Sequence, residues 1–222
     1  MKPNKIFAVI PAYNEENNIV SIIKKTKRYV GNIIVVDDGS NDKTKEVAEN
    51  ANAVVLRHII NLGKGATLKT GCDFAIRKGA KYMIVLDADA QHNPDDIPRF
   101  INKLKKYDIV FSYRSVSSKM PPVLRFGNWF ISGIVRALYG INLNDTQCGF
   151  RAFSKEAYRK IGWNSSDYSM ESEMISNVGK QKLKYVQIPI QTVYSDRYKG
   201  TTVVDGIKIV LNMFWWRLFN SK

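Results

Sequence analysis

The chain has 222 residues, and 34 Lys and Arg residues against 20 Asp and Glu residues give it a formal net charge of +14. A chain of this length buries one substantial core, so we expect one main folding unit. Hydrophobic residues make up 45% of the sequence and aromatic residues 11%, which excludes a disordered or fibrous protein.

The cysteines and the N-terminal segment favour a reducing compartment. Cys72 and Cys148 lie far apart without CxxC or Cys/His spacing, which argues against a disulfide scaffold and against a zinc site. The apolar run Ile6–Ile10 ends at Pro11 and is followed by carboxylates, so it is too short for the hydrophobic part of a secretory signal. We therefore expect a protein that stays inside the cell.

The positive charge is compatible with nucleic acid, an anionic membrane surface or a phosphorylated small molecule as partner. The lysines are scattered along predicted helices, as at Lys24, Lys25 and Lys27, and no nucleic-acid recognition motif interleaves them. We expect these lysines on solvated helix faces and no nucleic-acid partner.

The first half of the chain alternates between short apolar runs and amphipathic segments. Helix start signals stand at Asn14, at Ser40 or Asn41, and at Pro94. Continuous apolar runs are typical of parallel strands covered on both faces. The predicted buried strands are Ile6–Ile10, Ile33–Val36, Ala53–Leu56, Tyr82–Leu86 and Ile109–Phe111. This order predicts an α/β fold, a Rossmann-like open twisted sheet that is mostly parallel, with helices on both faces.

The pattern is less regular beyond about Ser115. It predicts helices over Arg125–Tyr139 and Tyr168–Val178, followed by an edge strand over Tyr185–Tyr194. No internal repeat or linker is present, so we expect this half to extend the same sheet.

Polar motifs follow four successive predicted strands, at residues 11–16, 37–40, 61–65 and 87–92. Ligands of open α/β sheets bind outside the carboxyl ends of the strands. Asp87, Asp89 and Gln91 place oxygen ligands at alternate positions of what we expect to be an extended segment. Such ligands suit Mg²⁺ or Mn²⁺, which retains water and takes substrate phosphates as further ligands.

Each motif alone has a simpler interpretation. The Asp87-x-Asp89 pair can be a solvated turn, and residues 37–40 a turn with a helix cap. Residues 63–65 can be a tight turn with a solvent-exposed lysine, and His92 a structural hydrogen bonder. The four motifs carry more weight together, because one pocket at the sheet edge would collect them.

In this order, the motifs PAYNEE, VVDDGSNDKT, NLGKG, LDADAQHNP and DTQCGFRAF resemble the GT-A glycosyltransferases of family 2. Within that family they resemble the dolichol-phosphate mannose or glucose synthases, also called polyprenyl-phosphate glycosyltransferases. The resemblance covers about residues 5–200. It implies a catalytic GT-A domain over residues 1–200, and the apolar pattern beyond it predicts an amphipathic helix over 201–222. It also implies a nucleotide-sugar donor, Mg²⁺ or Mn²⁺, inversion at the anomeric carbon and a lipid-phosphate acceptor.

The resemblance further implies roles for individual residues. Asp37 or Asp38 would accept hydrogen bonds from the base. Asp87, Asp89 and Gln91 would hold the metal against the donor diphosphate, with Asp89 also counted as catalytic. The nucleotide-binding positions are Pro11, Ala12, Tyr13, Glu15, Asp37, Asp38, Lys64, Asp87 and Ala88.

Positions for the acceptor phosphate are implied in the same way. Arg114, Arg125 and Arg197 match phosphate-binding arginines and are counted as catalytic, and Ser132 matches a serine near the acceptor. Judged without the resemblance, each arginine would be assigned to a surface salt bridge. The sequence departs from commoner forms at Cys148, where many relatives have serine. It also departs at residues 201–202, where a Ser-Lys pair is usual, and we expect Lys199 to supply the missing charge.

The acceptor class determines whether a base is required. A phosphate monoester has a second pKa of about 6 and is already largely ionised at neutral pH, so it needs no catalytic base. It needs cations that hold two phosphorylated species together, a task that suits arginine. A hydroxyl acceptor would instead require an Asp or Glu base.

The segment Val203–Phe219 is apolar around most of its helical circumference, although Lys208 and Arg217 interrupt it. It is shorter than the roughly 20 apolar residues of a membrane-spanning helix. We expect it to lie in a membrane interface, with tryptophans at headgroup depth, and the alternative is packing in the core or at a dimer contact. The segment Arg125–Tyr139 would form an acceptor lip beside it or pack in the core.

Glu171 and Glu173 form a further carboxylate pair. On an isolated helix they would face solvent, whereas the resemblance favours a role for at least one of them in orienting the arginines or the donor sugar.

Together these observations predict a peripheral enzyme on the cytoplasmic face of a membrane. It would transfer a hexose from a GDP- or UDP-sugar to polyprenyl or dolichyl phosphate, for glycan or protein glycosylation, with a membrane-spanning partner subunit as an option. Two alternatives remain open: transfer to a saccharide or protein hydroxyl, and a non-catalytic module that binds nucleotide sugar or nucleic acid.

Overall fold

The computed structural model describes residues 5–114, 122–191 and 203–219, without the side chains of residues 122–126, 128, 203–207, 209, 218 and 219. The strands are β1 Ile6–Ala12, β2 Asn32–Asp37, β3 Val54–Arg57, β4 Tyr82–Val85, β5 Ile109–Arg114, β6 Arg151–Ser154 and β7 Tyr185–Ile190. The helices are α1 Ile19–Thr26, α2 Thr44–Asn50, α3 Lys64–Arg77, α4 Ile97–Lys103, α5 Pro122–Tyr139, α6 Lys155–Ile161, α7 Ser169–Lys180 and α8 Val203–Phe219. A short 3-10 helix, Pro94–Asp96, precedes α4.

The seven strands of the described residues form one sheet in the order β3-β2-β1-β4-β6-β5-β7. Strand β1 pairs in parallel with both β2 and β4, so the chain turns to opposite sides of β1 and the carboxyl ends of these strands share one edge. Only β6 among these strands is antiparallel to its neighbours. The predicted open, mostly parallel sheet is confirmed.

Successive side chains of a strand point to opposite faces of the sheet, so β1 contributes to two cores. Phe7 and Val9 pack with α3 and α5 to α8, whereas Ala8 and Ile10 pack with α1, α2 and α4. The prediction of helices on both faces is therefore confirmed.

Strand β3 differs from its prediction as a fully buried strand. It lies at the edge of the sheet, pairs only with β2 among the described strands, and leaves Val54 50% exposed. An apolar run cannot distinguish an edge strand from a central one, because β-branched residues suit both positions.

The predicted helix starts after β1 and β2 are also wrong. Helix α1 begins at Ile19 and α2 at Thr44, several residues beyond the polar side chains expected to cap them. Those side chains join two loops instead. Ser40 Oγ accepts from the Asn14 N–H at 2.9 Å, and Asn14 Oδ1 accepts from the Asn41 N–H at 2.9 Å.

The second half adds to the same sheet, as predicted. Helices α5 and α7 lie where the patterns place them, and the edge strand begins at Tyr185 as predicted. It ends at Ile190, and residues 192–194 of the predicted strand lie outside the described residues. Strand β6 is an addition that the apolar pattern does not predict. It has four residues, begins at Arg151, and inserts between β4 and β5.

Helix α8 packs on the core with one face and exposes apolar side chains on the other. Met213 and Trp216 are buried, Tyr139 Oη donates to the Met213 carbonyl at 2.6 Å, and Lys180 Nζ donates to the Trp216 carbonyl at 3.0 Å. Among the described side chains, the large exposed apolar ones of α8 and its neighbour α5 are Leu211, Phe214, Trp215, Trp129 and Phe130. Within the described ranges, no helix combines the length and the apolar character needed to cross a bilayer.

Replacing Met213 by Ala should lower the free energy of unfolding by about 2–5 kcal/mol, because it leaves a cavity between α8 and the core. Leu211 is 65% exposed on the same helix, and Leu211→Ala should change that free energy by no more than about 0.5 kcal/mol. Urea unfolding of the two variants measures the difference. Equal effects would contradict the docking of α8.

Candidate active site

A cavity of about 490 Å³ opens at the carboxyl ends of β1 and β4. Nine of the predicted nucleotide or metal residues line it: Pro11, Ala12, Tyr13, Glu15, Asp38, Lys64, Asp87, Ala88 and Asp89. Its other lining residues are Asn14, Asn61, Gly63, Thr67, Asp167 and Tyr168. One cavity thus collects all four strand-end motifs.

Two interlocked loops form the wall beside β1. Thr44 Oγ1 accepts from the Glu15 N–H at 2.8 Å, and Asp42 Oδ2 accepts from the Glu16 N–H at 3.1 Å. Asn14 adopts a φ of 54°, a left-handed conformation that Asn tolerates better than most residues. The turn leaves Tyr13 at the cavity, 43% exposed, as an aromatic surface for a planar ligand.

The two adjacent aspartates after β2 occupy different environments. Asp38 lines the cavity and also accepts from the Leu62 N–H at 3.0 Å and the Gly63 N–H at 2.9 Å. Asp37 is fully buried, lies 3.3 Å from Arg57 Nε, and is not among the lining residues. Of the two candidates, therefore, Asp38 is the one placed at the cavity, and its contact with a base stays a prediction.

The segment Gly63–Gly65 is glycine-rich because another loop lies directly on it. Gly63 has a φ of 91°, and a Cβ there would come within 2.5 Å of the Ser166 carbonyl oxygen. A Cβ on Gly65 would collide with the Ser165 carbonyl oxygen, and the Gly65 N–H donates to Ser166 O at 2.7 Å. This contact positions the segment that carries Asp167 and Tyr168 to the cavity.

Lys64 begins α3 and is not the solvent-exposed lysine of the simpler interpretation. Its Nζ lies 2.8 Å from Asp87 Oδ1 and 3.0 Å from Glu171 Oε1, and only 17% of its side chain is exposed. Burial alone would lower the pKa of Lys64, but the two carboxylates outweigh it and hold that pKa above its ordinary value. The pKa of Asp87 is lowered, since the nearby ammonium outweighs the opposing effect of burial.

Asp89 carries the second carboxylate of the motif after β4. Burial, together with the charge of Asp87, raises its pKa to about 6. The chain bends over residues 88–90, and Ala90 has a φ of 62°. The prediction of an extended segment over residues 87–91 is therefore wrong. The Gln91 N–H donates to Asp89 Oδ1 at 3.0 Å, but Gln91 does not line the cavity, and its role as a metal ligand stays a prediction.

The oxygen ligands at this site fit a hard divalent cation that takes most of its other ligands from water or from a bound molecule. Asp87 and Asp89 place two carboxylates at one cavity, and the raised pKa of Asp89 reflects first its burial and then the charge of Asp87. Among the described residues, no group of three or more His, Cys, Asp or Glu side chains is arranged to hold a metal ion. A Mg²⁺ or Mn²⁺ ion here would therefore take further ligands from water or from a bound phosphate.

His92 and Cys148 have structural environments behind the carboxylates. Burial lowers the pKa of His92 to about 4, so its imidazole is neutral at pH 7. The ring lies tilted against Phe150, with ring centroids 5.5 Å apart. Burial raises the pKa of the Cys148 thiol to about 11. Its Sγ lies 2.9 Å from Ser112 Oγ. Both cysteines are free and buried.

Two arginines fasten the segment over residues 145–151. Arg114 Nε and Nη2 donate to the Asp145 carboxylate at 2.6 and 3.1 Å. Arg151 is buried and donates to the carbonyls of Thr146 and Cys148 at 2.7 and 2.9 Å. Arg114 is thus engaged with a carboxylate and does not line the cavity, so phosphate binding by Arg114 stays a prediction.

The other predicted acceptor residues are only partly described. Arg197, Lys199 and the side chain of Arg125 lie outside the described residues. Ser132 lies in α5, and its Oγ is buried without a hydrogen-bond partner among the described residues. It is not a lining residue of the cavity, so its acceptor role is untested.

Residues from the second half of the chain complete the site. Glu171 reaches Lys64, whereas Glu173 accepts from the backbone N–H groups of Asn164 and Ser165 and fixes the loop over α3. Both carboxylates are buried, so the solvent-facing interpretation is wrong. Asp167 and Tyr168 were not predicted as site residues, because they lie in the loop between α6 and α7 and belong to none of the strand-end motifs.

A model of the glycosyl transferase family 2 matches residues 7–162. UDP-N-acetylglucosamine–dolichyl-phosphate N-acetylglucosaminyltransferase of Methanococcus voltae is 32% identical, with 98% of each chain covered. Undecaprenyl-phosphate mannosyltransferase of Micrococcus luteus is 26% identical, covering 96% of this chain and 94% of that relative.

Glucosyl-3-phosphoglycerate synthase from Mycobacterium tuberculosis, solved in complex with Mg²⁺ and UDP, matches with a TM-score of 0.76 at 19% identity. The match covers 96% of this chain and 79% of that one, and at this identity it establishes the fold alone. The sequence matches and the shared GT-A architecture lead to one conclusion: the chain belongs to glycosyl transferase family 2.

Proposed function

We propose that this protein is a metal-dependent, inverting glycosyltransferase that moves a hexose or N-acetylhexosamine from a nucleotide sugar to a polyprenyl phosphate such as dolichyl phosphate. The observation that carries the proposal is the single cavity that collects Tyr13, Asp38, Lys64, Asp87 and Asp89. The names of the two relatives support a lipid-phosphate acceptor, and together they leave the base and the sugar of the donor open.

Each part of the donor has a counterpart in the cavity. Tyr13 offers an aromatic face to the base, and Asp38 lies on the same wall. Asp87 and Asp89, with the predicted ligand Gln91, would hold Mg²⁺ or Mn²⁺. Such an ion neutralises the charge that develops on the departing nucleoside diphosphate. The M. tuberculosis synthase, which has the same fold, was solved with Mg²⁺ and UDP, and this supports a divalent cation and a nucleoside diphosphate as ligands.

The carboxylates of the cavity favour an acceptor that needs no base. Five carboxylates line the cavity. Asp38 accepts from backbone N–H groups, and Glu15 accepts from Asn18 Nδ2. Asp87 is paired with Lys64 and Asp167 with Lys208, which leaves Asp89, the proposed metal ligand. A hydroxyl acceptor would need a carboxylate free to take its proton. A phosphate acceptor arrives ionised, so the site has only to hold it near the anomeric carbon, the task predicted for Arg114, Arg125, Arg197, Ser132 and Lys199.

The exposed apolar side chains of α5 and α8 would face the lipid. Trp129 is 70% exposed and Trp215 is 59% exposed on two helices that pack against each other. Tryptophan is favoured at the depth of lipid headgroups, and the net charge of +14 favours an anionic surface. We therefore propose residues 1–200 as the catalytic domain, 201–222 as its membrane-facing extension, and a peripheral location on a cytoplasmic leaflet.

A donor and acceptor panel tests the reaction. The purified protein is incubated with Mg²⁺ or Mn²⁺, each of GDP-mannose, UDP-glucose and UDP-N-acetylglucosamine, and a short polyprenyl phosphate. We expect a lipid-phosphate sugar from at least one donor, and none from the corresponding polyprenol or from a saccharide. Product with the polyprenol or the saccharide would favour the hydroxyl-acceptor alternative, and no turnover with any donor would favour the binding-module alternative.

Two variants control the panel. Asp89→Ala should lower turnover on the order of 10²-fold or more, because a predicted metal ligand is lost. Asp95→Ala removes an exposed carboxylate from the 3-10 helix after the same strand and should leave turnover unchanged. Near-normal activity of Asp89→Ala would refute the metal assignment.

Vesicle sedimentation tests the membrane surface. The protein should bind vesicles with anionic lipid more strongly than neutral vesicles, and salt should weaken the binding because it screens charge. The double variant Trp129→Ser/Trp215→Ser should bind several-fold less, because it removes interfacial anchors. Ile59→Ser, which removes a 98% exposed side chain between β3 and α3, serves as the control. Equal loss in both variants, or none in the double variant, would contradict this surface.

A further inference from the structure

Lys64 places one ammonium group between two carboxylates that belong to different parts of the fold. Asp87 follows β4 at the metal position of the proposed function, whereas Glu171 lies in the first turn of α7. The contacts of 2.8 Å and 3.0 Å are both of ordinary hydrogen-bond length. The lysine therefore already binds the carboxylate on which a divalent cation would depend.

Neighbouring backbone restricts the positions that the Lys64 side chain can take beside Asp87 and Glu171. A Cβ on Gly149 would collide with Asp87 Oδ2 and come within 2.8 Å of Lys64 Nζ, so the backbone of Gly149 closes one side of the ion pair. The first turn of α3 is held by the bond from the Gly65 N–H to Ser166 O. The backbone at Lys64 is thus held in place, while its flexible methylene chain allows the ammonium group to move.

Glu171 has capacity to receive the ammonium group. Its carboxylate is buried, with 2% of the residue exposed, and Oε2 has no hydrogen-bond partner among the described residues. A buried carboxylate oxygen without a donor is costly, and an ammonium group has three N–H donors. Asp87 is the more exposed of the two carboxylates, at 23% against 2% of the side chain, and it lines the cavity.

We propose that Lys64 is the counter-ion of Asp87 while no divalent cation is bound, and that it moves from Asp87 to Glu171 when a cation binds. This inference rests on the proposed function, which assigns Asp87 as a metal ligand. It makes Lys64 a positioning residue, because it acts through Asp87. A divalent cation that binds alone must displace the Lys64 ammonium group from Asp87. A nucleoside diphosphate adds negative charge, which favours the presence of both the divalent cation and the ammonium group at the site. Metal and nucleotide should therefore bind cooperatively.

Titration with Mn²⁺ alone, followed by the electron paramagnetic resonance signal of free Mn²⁺, tests the displacement without any turnover. Lys64→Met keeps much of the side-chain length and removes the charge. It should bind Mn²⁺ on the order of tenfold more tightly than the wild type, since the competing ammonium is gone. It should also lose much of the cooperativity with UDP or GDP. Lys45→Met, which breaks the exposed pair between Lys45 and Glu49, should leave both quantities unchanged.

Glu171→Gln tests the transfer in the opposite direction. It removes the receiving charge, holds Lys64 on Asp87, and should weaken Mn²⁺ binding several-fold. In the Lys64→Met background the same change should have a clearly smaller effect, because no ammonium remains to be transferred. An equal effect in both backgrounds would mean that Glu171 acts only through its charge, and it would overturn the transfer.

The outcomes separate this inference from the proposed function. Unchanged or weaker Mn²⁺ binding by Lys64→Met, in a wild type that binds Mn²⁺, overturns the counter-ion role alone. If Lys64→Met does not fold, Lys64→Gln takes its place in both titrations. A wild type that binds no Mn²⁺ even with UDP or GDP present would refute the metal assignment and the counter-ion role together.

Discussion

The crowding of like charge at the end of a buried strand is the constraint on which this site depends. Asp87 and Asp89 follow β4 two residues apart, and both line one cavity. Burial makes each negative charge costly, and each carboxylate adds to the cost of the other. Lys64 offsets this cost at Asp87 through a contact of 2.8 Å. The pKa of Asp89 is raised to about 6, so its ionised form is still disfavoured, and a bound divalent cation would stabilise it.

The fold solves this problem with segments that are far apart in the sequence. Glu173 fixes the loop at Asn164 and Ser165, that loop lies on the two glycines around Lys64, and α7 brings Glu171 to the same lysine. Gly149 admits the segment over residues 145–151 beside Asp87. The cavity is thus a product of the whole chain, although its most recognisable residues come from three strand ends.

The parts predicted from the sequence are those with local causes. Periodicity indicates the central strands, and parallel pairing then brings the motifs after β1, β2 and β4 to one edge. Contacts between residues that are far apart in the sequence produce no such local pattern. The pairing of Arg114 with Asp145, the burial of Lys64 and the contact of Glu171 depend on tertiary packing. Strand β6 was not predicted, because a short segment that begins with a buried arginine has no apolar pattern.

Anomalous diffraction from a crystal grown with Mn²⁺ and a nucleoside diphosphate would locate the cation. We expect one strong manganese peak within coordinating distance of the Asp87 and Asp89 carboxylates, with diphosphate oxygens completing the coordination. A nucleotide bound in the cavity with no manganese between it and these carboxylates, or a manganese peak elsewhere on the protein, would contradict this expectation.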